Sequence, residues 1–257
     1  MNYQNILATN QNGISTITIN RPDKLNALNK LTIDELHHAI NAAQNNTEVR
    51  VLILTGQGEK AFIAGADIKE FAGFSRQEGK KLSSEGHDKL FNLIENLSKP
   101  VISAINGFAL GGGLELAMAS HIRIAAESAK LGLPEVGLGV IPGYGGTQRL
   151  AQLTGKGKAM ELIMTANMIN AQEALKIGLV NHVVPLSELT DFSVKMASRI
   201  MRNSPMAVGN AIRAVNANYK DGVDGYQEEI NTFGDCFGTE EFIEGTSAFL
   251  EKRKPNF

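Results

Sequence analysis

Two glutamates in this chain stand where a charged side chain is expensive. Residues 100–122 contain one carboxylate, Glu115, set in the apolar string Leu114, Leu116, Ala117, Met118, Ala119. A helix that is apolar nearly all round is buried, so a glutamate inside it must be ion-paired, hydrogen-bonded or shifted toward its neutral form. At this point a structural ion pair and a functional role are equally open. Glu135 repeats the anomaly as the one charged residue in 131–148, a stretch otherwise made mainly of glycine, proline and apolar residues. Gly111, Gly112 and Gly113 precede the first glutamate and Pro134 the second, so both sit where the chain enters a new element, a position that commonly lines a cleft. Two carboxylates in differing surroundings acquire separated pKa values, and one can then accept a proton while the other donates one.

The glycines add a second kind of chemistry. Three successive residues without Cβ just before a helix let a ligand approach the backbone while first-turn amides remain free, which suits an anion or oxyanion. The cluster Pro142, Gly143, Tyr144, Gly145, Gly146, Thr147 has the same open backbone, and a plain sharp turn explains it equally well. Neither cluster has the G-x-G-x-x-G spacing with an acidic partner downstream, and no G-x-x-x-x-G-K-[ST] loop exists, so nicotinamide and nucleoside triphosphates are not expected ligands. The five histidines (His37, His38, His87, His121, His182) form no H-E-x-x-H pair and no Cys-His set. No metal site and no cofactor are therefore expected. A G-x-S-x-G nucleophile elbow is also missing.

The elements that must hold these residues follow from periodicity. Residues 14–20 alternate isoleucine with threonine and 51–55 form a short apolar run, both reading as strands. Between them Thr32 with Glu35 reads as a capping box, and Ile33, Leu36, Ile40 and Ala43 then fall on one helical face. A strand over 101–106, a helix after Gly113 and a strand around 122–125 continue the alternation, giving an α/β class with a covered sheet. From 186 onward the periodicity is helical, over 187–203, 205–219, 223–235 and 238–251. The expected organisation is a core over 1–185 and a helical region over 186–257. Phe233, Phe237, Phe242 and Phe249 on that region have two possible fates, packing on their own core, which is the commoner, or packing on another subunit.

Composition narrows the partners. A charged fraction of 20% and an apolar fraction of 43% are those of a globular chain rather than a disordered one. The net charge is −2, and the basic cluster Lys252, Arg253, Lys254 is too small for a nucleic-acid arm. No polynucleotide and no membrane are expected as partners, since no apolar run approaches the roughly 18 residues of a span. The single cysteine, Cys236, excludes an internal disulfide and fits a reducing compartment as an inert half-buried thiol. Residues 1–10 lack a basic n-region and an apolar h-region, so a cytoplasmic address is expected.

Several strings in order carry a resemblance: NRPDKLNAL at 20–28, AFIAGADIKE at 61–70, PVISAING at 100–107, GGGLELA at 111–117, PEVGLGVIPGYGGTQRL at 134–150 and FLEKRKPNF at 249–257. Together they resemble the enoyl-CoA hydratase, or crotonase, family over nearly the whole chain. The resemblance implies a spiral of repeated ββα units, a C-terminal helical region used in trimerisation, and a homotrimer or a hexamer built as two trimers. It implies an oxyanion hole from the backbone amides of Ala66 and Gly112, with Glu115 and Glu135 as the catalytic pair. Such enzymes add water to a 2-trans-enoyl-CoA thioester to give a (3S)-3-hydroxyacyl-CoA, a step of fatty-acid β-oxidation, with CoA part of the substrate rather than a cofactor. The same resemblance places CoA along Lys24, Leu25, Ala66, Asp67, Ile68, Lys69 and Gly112, and assigns Phe233 and Lys252 to a neighbouring subunit's CoA. Asp67 reads as an N-cap rather than a catalyst. Isomerase-type relatives generally work with one principal acid/base, so retention of both glutamates favours hydration. An enoyl-CoA isomerase, another acyl-CoA lyase of the superfamily and a non-catalytic CoA-binding homologue are the alternatives. The stretch 74–92, with Lys80, Lys81 and His87, resembles the family only loosely.

Overall fold

A computed structural model describes residues 2–257. The strands in chain order are β1 (Ile6–Gln11), β2 (Ile14–Ile19), β3 (Val51–Gly56), β4 (Ala61–Ala64), β5 (Val101–Ile105), β6 (Phe108–Leu110), β7 (Ile122–Ala126), β8 (Lys130–Gly132), β9 (Ile169–Asn170) and β10 (His182–Val184). The helices are α1 (Lys30–Asn45), α2 (Arg76–Gly86), α3 (Asn92–Glu95), α4 (Gly112–Ala119), α5 (Gly146–Thr154), α6 (Lys156–Thr165), α7 (Ala171–Lys176), α8 (Leu189–Ile200), α9 (Pro205–Ala217), α10 (Gly225–Asp235) and α11 (Glu240–Leu250).

The chain winds as a spiral of ββα turns. β3, β5 and β7 join one sheet, ordered β1-β2-β3-β5-β7-β10, while their immediate successors β4, β6 and β8 join a second, ordered β4-β6-β8-β9. Pairing from β2 through to β10 in the first sheet is parallel, and only the β1–β2 hairpin is antiparallel. Its two-residue turn is Asn12-Gly13, both with positive φ, a combination whose twist matches that of the flanking strands.

Period-2 alternation feeds two cores. On β3, Leu52 and Leu54 enter one cluster and Val51 and Ile53 the other, and on β5 Val101 and Ile105 separate in the same way from Ile102 and Ala104. A parallel sheet buried on both faces needs such unbroken apolar runs. The second face is covered by α8, whose Leu189 and Ala197 are buried with Ile124, Ala126 and Val184. Each leucine, isoleucine or valine among them contributes about 1.5–3 kcal/mol when fully buried.

Two local expectations are corrected. Helix α1 begins at Lys30 with Asn29 as its cap, Asn29 Oδ1 accepting from the Thr32 amide at 2.9 Å, and no Thr32–Glu35 capping box forms. Glu35 instead accepts the Gln4 and Asn5 amides at 2.7 and 2.8 Å, tying the chain before β1 to α1. Asp67 precedes the short 3-10 turn Ile68–Glu70 but its carboxylate caps nothing there; it pairs with Arg21 at 3.2 Å. The four C-terminal helices start and stop within a few residues of the expected ranges. Phe233, Phe237 and Phe249 do not sink into their own core, being 67%, 53% and 83% exposed. Among the described residues no helix is long and apolar enough to cross a membrane.

Candidate active site

Helix α4 is the structural centre of the site. Gly111, at φ +50° and ψ −125°, turns the chain from β6 into α4 through a conformation closed to other residues. One position into the helix, a Cβ on Gly113 would stand 2.0 Å from the Ile63 carbonyl oxygen, so the glycine lets α4 lie directly on β4. Glu115 then falls in the first turn, 1% exposed. Its Oε1 accepts two backbone amides of the 142–146 loop, from Tyr144 at 2.7 Å and Gly146 at 2.8 Å. Burial pushes its carboxyl up to about 7 against the pull of these two hydrogen bonds, with the Glu135 charge raising it further and Arg149 opposing.

Glu135 begins a 3-10 turn (Glu135–Leu138) after β8. Its carboxyl lies against Gly111, where a Cβ would come within 2.8 Å of Glu135 Oε1. Burial raises its pKa too. Its Oε2 is buried with no protein hydrogen-bond partner, which is costly unless a reactant supplies one.

Both glutamates line one cavity of about 460 Å³, together with Ala66, Gly112 and Tyr144. The Ala66 and Gly112 amides, on the connections that follow the adjacent strands β4 and β6, donate to no backbone acceptor. Ala66 is presented by a two-way bracket, Leu28 N–H to Gly65 O at 2.9 Å and Asp67 N–H to Leu28 O at 2.7 Å. Two free amides beside two carboxylates can polarise a carbonyl while a proton is moved next to it. A contiguous cavity of about 450 Å³ shares Ala66, Phe71, Phe74, Leu82 and Tyr144 with the first and extends past Asp67.

The other sequence-derived residues divide into two groups. Lys24 and Leu25 form the exposed turn before Leu28, and Leu25 O accepts the Ala64 amide at 3.0 Å, so this turn abuts the Ala66 segment. Ile68 and Lys69 are exposed beside it on the 3-10 turn. Phe233, on α10, and Lys252, just after α11, line neither cavity. A third cavity of about 510 Å³ between α4, α5 and α9 contains neither Glu115 nor Glu135.

Some residues of the site carry no local sequence signal. Asn26 is buried, donating to the Ala61 and Gln57 carbonyls at 2.7 and 3.1 Å and so fixing the 24–28 turn to β4. Arg149 is 6% exposed and gives Glu95 a two-point contact at 2.9 and 2.7 Å while Nη1 donates to Tyr144 O at 2.9 Å. His121 accepts the Val101 amide at Nδ1 (2.9 Å), so its proton is on Nε2 facing Glu95 O, and burial lowers its pKa to about 4. It is a neutral structural bridge. Among the described residues no three His, Cys, Asp or Glu side chains come together in a metal-binding arrangement.

Comparison with known proteins decides what this arrangement belongs to. The model of the enoyl-CoA hydratase/isomerase family matches residues 9–257. The chain belongs to that family. It is 48% identical over 255 residues to the short-chain-enoyl-CoA hydratase of Clostridium acetobutylicum, covering 99% of this chain and 97% of that protein. It is also 48% identical over 258 residues to the crotonyl-CoA hydratase of Syntrophomonas wolfei, covering 100% and 99%. The crystal structure of enoyl-CoA hydratase from Bacillus anthracis superimposes with a TM-score of 0.92 at 43% identity, covering 99% of each chain. Within the family's fold, Glu115, Glu135 and the Ala66 and Gly112 amides share a single cavity.

Proposed function

We propose that this chain is an enoyl-CoA hydratase that adds water reversibly to short 2-trans-enoyl-CoA thioesters, giving (3S)-3-hydroxyacyl-CoA. The observation that carries the reading is one cavity holding two carboxylates in unlike environments beside two unpaired backbone amides. The thioester oxygen accepts from the Ala66 and Gly112 amides. One water sits between the carboxylates; its oxygen bonds to C3 as one glutamate takes its proton, the π electrons pass to an enolate held by the two amides, and a proton delivered to C2 completes the addition. Loss of one such donor costs about 3–4 kcal/mol of transition-state stabilisation. The names of the Clostridium and Syntrophomonas relatives support a short acyl chain.

In this reading CoA runs along Lys24, Leu25 and the Ala66–Lys69 stretch, and Phe233 and Lys252 serve a neighbouring subunit of a trimer or of a hexamer of two trimers. The exposure of Phe233, Phe237 and Phe249 supports such an assembly, and light scattering tests it. A cytoplasmic place in β-oxidation completes the proposal. Incubation with crotonyl-CoA, following loss of the enoyl-thioester absorbance and resolving the product, tests the activity. Stereospecific hydration is expected. Migration of the double bond from C2–C3 to C3–C4 without hydration would overturn it in favour of an isomerase.

A further inference from the structure

Helix α2, in the stretch that resembles the family only loosely, makes a contact that the reaction itself does not explain. Ser83 of α2 donates from Oγ to the Gly143 carbonyl oxygen at 2.6 Å. That carbonyl and the Tyr144 N–H belong to one planar peptide. The N–H points the other way, into Glu115 Oε1 at 2.7 Å. The second donor to Glu115 is built alike: Gly145 O accepts the Gln148 and Arg149 amides at 3.1 and 2.9 Å, and the Gly146 N–H on the same peptide donates to Oε1 at 2.8 Å. Hydrogen bonds in series polarise one another, so each amide is a stronger donor for having its carbonyl engaged. The second carbonyl is engaged by the ordinary backbone of α5. The first depends on one side chain.

We propose that Ser83 is a positioning residue for Glu115, its hydroxyl fixing and polarising the Gly143–Tyr144 peptide so that the carboxylate is held in one rotamer toward the substrate water. The hydroxyl contributes through orientation and through stabilising the ionised carboxyl, and it transfers no proton. Groups facing Glu115 from the surrounding elements are Glu135 from the turn after β8, Arg149 from α5 and the Tyr144 phenol, with Glu95 on α3 pairing Arg149. None of these replaces the hydroxyl at Gly143 O. Arg149 clamps the adjacent Tyr144 carbonyl at 2.9 Å, which holds the loop in place when Ser83 is changed.

This inference rests on the hydratase reading, and the test separates the two. Ser83→Ala, Ser83→Thr and, as a control on the exposed side of the same helix, Ser84→Ala are compared with the wild type in crotonyl-CoA hydration across pH, in thermal unfolding, and in a ¹³C titration of the Glu115 carboxyl assigned by difference with Glu115→Gln. Ser83→Ala should lower kcat about threefold to tenfold, the worth of one hydrogen bond. The titration of Glu115 should move up by roughly half a pH unit to one unit, one limb of the kcat/KM profile moving with it. KM and Tm should stay near wild type, Ser83→Thr should recover most of the loss, and Ser84→Ala should match wild type. A Ser83→Ala enzyme with wild-type kcat and an unmoved Glu115 titration overturns the proposal, as does a loss of kcat matched by a fall in Tm with the titration unmoved. A wild type that does not hydrate crotonyl-CoA counts against the activity instead, and the ¹³C titration still reads the positioning.

Discussion

Glu115 and Glu135 share a cavity but are held in opposite ways. Glu115 is on a helix wedged against a strand, fully buried, with one oxygen saturated by two amides. Glu135 is on a short turn, partly exposed, with a buried oxygen that no protein group satisfies. The fold thus spends hydrogen bonds on fixing one carboxylate and ties the other down far less. Unlike surroundings push the proton affinities of the two carboxylates apart, so that one can give a proton while the other takes one.

The comparison breaks most directly by removing either charge. Glu115→Gln and Glu135→Gln keep shape and hydrogen-bonding capacity, and each should reduce hydration by about 10²- to 10⁴-fold with CoA-analogue affinity largely retained. The double variant should be little worse than the poorer single one, since the two act as a unit on one water. Steady-state rates that multiply, or a single variant with near-native turnover, would dissolve the pair.

A thermodynamic measurement sharpens the asymmetry. The folded protein holds the Glu115 proton up to about 7, above the ordinary 4.5 of an unfolded glutamate. Between these values the folded state binds more protons, so Glu115 contributes stability that is complete below the unfolded pKa and lost as pH rises through the folded one. Relative to Glu115→Gln, the wild type should therefore lose about 3 kcal/mol between about pH 4 and pH 8, at ~1.4 kcal/mol per pH unit of separation. Denaturant midpoints of both proteins at several pH values measure this; a flat difference would mean the carboxyl is not held in its buried, proton-retaining state.

Gly111→Ala attacks the other member. Its positive φ and a Cβ 2.8 Å from Glu135 Oε1 should cost roughly 1–3 kcal/mol of stability and displace Glu135, and the Glu115 titration should move down as the Glu135 charge moves away. Turnover should fall toward that of Glu135→Gln. The mildest expectation concerns Asp67→Asn, which removes a partly exposed pair with Arg21: a stability change within about 1 kcal/mol and near-native hydration. A large catalytic loss would make Asp67 more than a loop tie.

The two glutamates were legible in the sequence because a lone charge in a long apolar stretch is anomalous whatever the fold. Their neighbours were not. Ser83 meets Gly143 across 60 residues and Arg149 meets Glu95 across 54, and neither Ser83 nor Glu95 is unusual where it stands in the chain. Short strands were hidden for a related reason: β6 and β8 have three residues each, too few to display alternation, and gain their pairing only from the turn before. The α1 cap was misread because Asn29 and Thr32 are both competent caps, and the choice went to Asn29 once Glu35 was drawn to the amides before β1. The exposed phenylalanines of the helical region show the limit of hydrophobicity as a guide, which says that a side chain needs cover without saying whose.

Helices α2 and α3 are joined by a π-helical turn at His87–Phe91, so that Arg76 to Glu95 runs as one rod with one extra residue wound into it. The rod touches the 142–149 segment at two places, Ser83 near its middle gripping Gly143 and Glu95 at its end gripping Arg149 of α5. It therefore works as a caliper whose jaws are set by length. The wide turn takes up the extra residue, so deleting one residue within 87–91 would restore regular α winding and leave the faces carrying Ser83 and Glu95 in nearly the same angular relation. What such a deletion would remove is the widened turn itself, while both grips on the segment remain in reach.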